Sequence, residues 1–287
     1  MLAGMNMGIA IDNPCRSLSS LARREITSRL LLGLFTLAVS LSISQSRGWA
    51  TDAPLFPMRF EWKQESPTET CGKTCRRWIS AVGMITNDTP AEFGAFVEER
   101  DARGAIVVLD SQGGETLGAR VLGDIIRDLG MATAVGRTVE LPGGDGSVSR
   151  ATLSPQADCA SMCAFVLMAG VRRYVPPEAS VRVHGIWFGD RLFNARDVSY
   201  SADELAVLQH EVGLLAQYTV RMGGSIDLLE TAVRVPPWEP LRLLSQEELR
   251  GMRLTNSDDM FDARSEPVVA NVDMRLSSAD SASPKHR

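Results

Sequence analysis

The sequence predicts an α/β domain on a mostly parallel sheet with a helical C-terminal part, and three observations carry that expectation. The first is a continuous apolar run at 105–109, A-I-V-V-L, of the kind that forms strands buried on both faces. The second is the helical spacing of Leu117, Val121, Leu122, Ile125, Ile126 and Leu129, with Gly130 placed as the C-terminal stop. The third is alternation: strand and helix patterns succeed one another as β-α-β-α-β between 77 and 135, which predicts parallel strands joined by right-handed crossovers.

In chain order, residues 51–76 are mixed polar with prolines and read as an N-terminal arm. The domain proper is expected over 77–262. Residues 77–85 (R-W-I-S-A-V-G-M-I) have strand character. Thr89-Pro90-Ala91-Glu92 supplies a capping hydroxyl, a first-turn proline and a glutamate three residues on, which predicts a helix to about Arg100. The strand at 105–109 and the helix over 117–129 follow, and then a strand at 131–135. A loop is expected at 142–149 (P-G-G-D-G-S-V-S). Next come a turn and helix ending at Gly170, and short strands at 173–175 and 181–184. A long helix over 202–222 has a core stripe of Leu205, Leu208, Val212, Leu215 and Met222. Helices near Ser225 and over 246–252 complete the domain, and a polar tail at 263–287 is expected to be disordered. No internal repeat is apparent.

The 287 residues suffice for one sizeable core or two small domains, and 44% hydrophobic with 23% charged residues is ordinary for a globular protein. A net charge of −5 argues against nucleic acid, whose binders carry a basic face. At the N-terminus, Arg23, Arg24 and Arg29 precede an apolar run at 30–43, and Gly48 and Ala50 stand at signal-peptidase spacing. This predicts an export signal over 1–50 cleaved after Ala50; the 14 apolar residues are fewer than the roughly 20 of a spanning helix. A retained membrane anchor is the alternative. The leader before Arg23 is long enough for translation to begin at Met5, Met7 or later, and the arginine pair is a weak twin-arginine export signal.

Export changes the meaning of the cysteines. Cys15 leaves with the leader, and Cys71, Cys75, Cys159 and Cys163 remain as disulfide candidates in an oxidising compartment, with three pairings open. Two C-x3-C spacings with no nearby histidine fit zinc poorly, and no metal or cofactor is expected. A cysteine nucleophile is disfavoured because an exported thiol is usually oxidised.

Three features carry chemistry. Gly113 and Gly114 lie between a buried strand and a helix, where amides without a neighbouring β-carbon can approach a ligand; on its own a glycine pair more often marks a plain strand-to-helix turn. They are no dinucleotide fingerprint, since S-Q-G-G-E-T-L-G lacks its spacing. Ser161 sits near a helix start in D-C-A-S-M-C-A-F, either as a nucleophile beside the Met162 amide or as a small packing residue. His184 is one of three histidines; His286 lies in the tail, and His210 falls off its helix's core stripe. It ends a V-R-V strand before Gly185, where it is either a base for a serine hydroxyl or a hydrogen-bonded structural residue.

The runs C-A-S-M-C-A-F-V-L-M-A-G and V-P-P-E-A-S-V-R-V-H-G resemble the Clp protease proteolytic subunit, within the Clp protease/crotonase superfamily. L-D-S-Q-G-G resembles that family's S-P-G-G segment, and G-G-S-I-D-L-L-E and L-L-S-Q-E-E-L resemble it more faintly. The likeness spans about residues 78–256 and is sharpest over 105–185. It implies a spiral of β-β-α units, Ser161 as nucleophile, His184 as base, the amides of Gly113 or Gly114 and Met162 as oxyanion hole, and a homo-oligomer. Three departures stand out. Gln112 replaces the proline, the Ser161–His184 interval is two residues shorter, and V-P-P-W-E-P-L-R lacks the family's aspartate, since alignment lands on Leu241 or Pro236. Glu239 is the only carboxylate between Glu230 and Glu247. It is the candidate third member; the alternative is a Ser–His dyad aided by a backbone carbonyl.

The resulting expectation is an exported, periplasmic-type serine peptidase acting on short or unfolded peptides. An inactive oligomeric scaffold of the same fold is the alternative. Crotonase-type acyl-CoA chemistry is disfavoured by export. Membrane contact is expected only if the N-terminal segment is retained.

Overall fold

Strand β3 (Ile106–Asp110) lies in the middle of the main sheet, and all five of its residues are buried, as its unbroken apolar run requires. The computed structural model describes residues 56–65, 75–141, 150–191, 196 and 199–261, all in the unit Ala53–Arg287. The expected export segment, Cys71, the loop at 142–149 and the tail at 263–287 lie outside the described residues.

The main sheet has the order β1-β2-β3-β4-β8. Strands β2 (Arg77–Val82), β3, β4 (Ala132–Val135) and β8 (Arg173–Tyr174) run parallel, and β1 (Arg59–Gln64) pairs antiparallel with β2. The residues read as an arm therefore contribute an edge strand: Phe60 and Trp62 alternate along β1 and pack on the core, with Phe60 and Phe93 rings 4.8 Å apart. A smaller sheet, β10-β9-β7, joins β7 (Asp158–Ala160) in parallel to β9 (Ser180–Val183) and β10 (Arg242–Leu243) antiparallel to β9. Strands β5 (Arg137–Glu140) and β6 (Ala151–Ser154) form an antiparallel pair. The fold is mixed α/β with a mostly parallel main sheet.

Six helices complete the described residues: α1 (Thr89–Glu98), α2 (Thr116–Asp128), α3 (Met162–Ala169), α4 (Ala202–Arg221), α5 (Asp227–Val233) and α6 (Gln246–Gly251). No helix among them is long and apolar enough to cross a membrane. The helix expected at Thr89 is present without its capping box. Thr89 Oγ1 instead accepts from Thr86 N–H at 2.8 Å, closing a turn upstream, and Asp88 occupies the cap. Capping boxes do form at Ser201-Glu204 and Ser245-Glu248. Leu215 on α4 and Met222 at its C-cap are buried as expected, while Leu205 is 47% exposed and Leu208 of the same stripe borders a cleft.

Helix α3 is buried on every side, and its C-terminus meets that of α4 at two arginines. Arg173 donates to the carbonyls of Met168 (3.0 Å), Gly170 (3.4 Å) and Met222 (3.1 Å). Arg127 donates to those of Ala169 (2.7 Å), Met168 (3.2 Å), Gly170 (3.3 Å) and Met222 (3.0 Å). These are carbonyls a helix end leaves unpaired, and a cation is favoured there by the helix dipole. Among the described residues neither arginine has a carboxylate partner. Burial lowers the tendency of both to hold a proton, Arg173 to a pKa of about 10.

Candidate active site

The two sheets meet where β3 ends. Ser111 pairs with β7, its N–H donating to Asp158 O at 2.8 Å and its carbonyl accepting from Ala160 N–H at 2.9 Å. This contact brings the glycine pair that follows Ser111 against the turn that follows β7. Two buried carboxylates fix the junction. Asp110 accepts from Arg137 Nε at 2.7 Å, while Asp158 accepts from Arg182 at 3.1 Å and from the Ser180 hydroxyl.

Ser161 occupies the turn between β7 and α3 with φ 55° and ψ −123°. Non-glycine residues adopt such a conformation rarely, at a cost of order 1–3 kcal/mol, and it persists where the surroundings over-determine it. Here its N–H donates to Arg182 O at 2.8 Å and its carbonyl accepts from Ala164 N–H at 3.1 Å. The Cys159–Cys163 disulfide spans the same turn, with Cα atoms 5.2 Å apart. Cysteines four apart fit this bridge because Cys159 belongs to the strand rather than the helix. Cys75 is also disulfide-bonded. Closing so short a loop between Cys159 and Cys163 contributes about 2 kcal/mol in the chain-entropy description. A Cys159→Ala/Cys163→Ala double variant, which leaves the Cys75 disulfide in place, should lose about that unfolding free energy relative to wild type in urea titrations.

The glycine loop is anchored by Ser111, whose buried hydroxyl donates to Gly83 O at 2.6 Å and accepts from Gly113 N–H at 3.1 Å. Gly113 has φ 89° and Gly114 φ 144°. With Gly113 N–H engaged, the free amide of the pair is that of Gly114, which borders the cleft. Met162 N–H is the first of helix α3 and has no carbonyl within the helix to receive it.

Gly114, Ser161, Met162 and His184 all border one cleft of about 600 Å³. Its apolar wall includes Phe165, Ile186, Leu215, Leu229 and Ala232, and its polar side carries Gln112, Glu115 and Glu211. Glu211 is held by Thr116 Oγ1 at 2.9 Å and Arg120 at 3.1 Å.

His184 follows β9 and is half-buried. Its Nδ1 lies 2.7 Å from Gly185 O; a carbonyl only accepts, so Nδ1 carries the proton and Nε2 keeps its lone pair. Gly185 is itself pinned, its N–H donating to Val235 O at 2.8 Å. Burial pushes the imidazole below its usual pKa, partly opposed by the Gly185 carbonyl, which keeps the ring neutral at pH 7. No hydrogen bond joins Ser161 to His184 in this structure. Glu239 is exposed and does not border the cleft; the group on Nδ1 is the Gly185 carbonyl.

The structure thus brings together the glycine loop, Ser161, Met162 and His184, and leaves Glu239 apart. His210 is exposed. Two features of the cleft are not legible as motifs: the Gly185 carbonyl behind the imidazole, and Trp187, whose ring lies 4.1 Å from that of His184. The aromatic pair in H-G-I-W-F was their available signal. No family model matches the chain, and no curated protein matches it.

Proposed function

We propose that this protein is an exported serine hydrolase of Clp protease-like fold, a spiral of β-β-α units, that cleaves short or unfolded peptides. The observation that carries the reading is Ser161, held at φ 55° on a strand-to-helix turn and opening into the same cleft as a histidine with a free Nε2. Ser161 Oγ attacks the acyl carbon while His184 Nε2 takes its proton. The amides of Gly114 and Met162 receive the developing oxyanion. His184 returns the proton to the leaving amine, and water then releases the acyl group from Ser161 by the same relay. The Gly185 carbonyl orients the imidazole, making a Ser–His dyad in which Glu239 has no part. The apolar wall suits a bulky apolar side chain of the substrate. Assembly into a homo-oligomer belongs to the same proposal.

A fluorophosphonate probe tests it. Wild type should take up one adduct, mapped by mass spectrometry to the peptide carrying Ser161. An unlabelled wild type sinks the reading and favours an inactive scaffold of the same fold. The missing Ser161–His184 hydrogen bond and the lack of a carboxylate on Nδ1 are what speak for that second reading.

A further inference from the structure

Among the described residues, no carboxylate stands against the His184 imidazole to serve as counter-ion once the ring is protonated. The ionisable groups bordering the same cleft are Glu115 and Glu211; Glu211 is tied to Arg120 and Thr116, and neither carboxylate shifts the titration of His184. Arg182, on the strand leading to His184, is paired with Asp158. The imidazole's one hydrogen bond goes to a neutral carbonyl. Trp187, three residues on, packs beside the imidazole and borders the same cleft. The two ring centroids are 4.1 Å apart with planes at 42°. Rings meeting edge to edge cannot come so close, so the two rings are packed against each other at a tilt.

We propose that Trp187 is a positioning residue that replaces the missing carboxylate: its π face holds the His184 ring against the Gly185 carbonyl and stabilises the imidazolium formed during proton transfer. A cation over an indole is attracted by the ring quadrupole, most strongly where water is excluded, and tryptophan is the best of the aromatic residues at this. Both rings are half-buried, which puts the contact between the exposed and the fully desolvated limits of that attraction. Unlike a carboxylate, the indole adds no charge to the neutral ground state, so its effect falls mainly on the charged one. The catalytic consequence rests on the hydrolase reading; the effect on the His184 proton does not.

The experiment pairs Trp187→Leu, which keeps the site covered but removes the π face, with the conservative Trp187→Phe. His184 is titrated by its ring carbon proton in NMR spectra, identified through its disappearance in His184→Gln. Wild-type and variant kinetics are measured on p-nitrophenyl acetate. Trp187→Leu should titrate about one pH unit lower than wild type and lose about tenfold in kcat with little change in KM, with Trp187→Phe in between. A Trp187→Leu protein, folded by its amide spectrum, whose His184 titration is unmoved overturns the proposal. If the titration shifts but wild type hydrolyses nothing, the ring pairing stands and the hydrolase reading falls.

Discussion

Replacing Ser161 by glycine should make the protein more stable and at the same time inactive. At φ 55° and ψ −123° a side-chain-bearing residue is held in a sparsely populated conformation that glycine adopts without strain. Part of that relief is offset because glycine also frees the unfolded chain, leaving a net gain of about 1 kcal/mol. Ser161→Ala keeps the strain and should leave stability near wild type. Both variants remove the hydroxyl, and loss of a nucleophile of this kind lowers turnover by on the order of 10^4-fold or more. Urea midpoints and ester hydrolysis, measured side by side, separate the two effects. A glycine variant less stable than the alanine one would mean that the turn is not strained; retained turnover would remove Ser161 from the chemistry.

The second large effect is expected at the glycine loop. An alanine β-carbon at Gly113 would fall 2.6 Å from Ala160 O, 2.7 Å from Ser161 Cβ and 2.9 Å from Met162 N, all of them parts of the turn that carries Ser161. At Gly114 it would fall 1.9 Å from Ile85 O, so that backbone must move. Gly113→Ala combines an unfavourable φ of 89° with this clash and should cost about 2–4 kcal/mol. In the protein that still folds, displacing Ser161 should lower turnover on the order of a hundredfold. Gly130→Ala is the control: its φ of 64° is also unfavourable, but nothing lies within 4 Å of the added carbon. It should cost only about 1 kcal/mol and leave turnover unchanged. Equal destabilisation of the two variants would show that the clash at Gly113 is absorbed.

What was legible in the chain follows from how locally each feature is determined. The buried run of β3 and the helical stripe of α2 carry their own periodicity, so the parallel part of the sheet is readable from them. The capping boxes at Ser201 and Ser245 act within four residues. Thr89 carries the same pattern, yet its hydroxyl serves Thr86, a competition that sequence spacing does not reveal. Strands β5, β6 and β10 are too short to carry a periodicity of their own, and β10 forms only because Arg242 pairs with Val183, far upstream. Leu205 matches a core stripe, but the helix face it belongs to borders a cleft. In the site, Ser161 and the glycine pair stand out because special backbone geometry demands special residues. The group behind His184 does not stand out, because any residue supplies a carbonyl. Glu239 illustrates the converse: a residue type suited to a role, but exposed and not bordering the cleft.

The arginine clamp at the ends of α3 and α4 has a consequence for how the molecule meets acid. It contains no carboxylate, and its cations keep their protons up to a pKa of about 10 for Arg173, so nothing in it changes charge from roughly pH 3 to 9. The junction of β3, β7 and β9 is built the other way, on Asp110 and Asp158 facing arginines, so it is held by pairs of opposite charge. The strand ends that lead to Ser161 and His184 are thus tied by ion pairs, while the far ends of the two helices are tied by cations on neutral carbonyls.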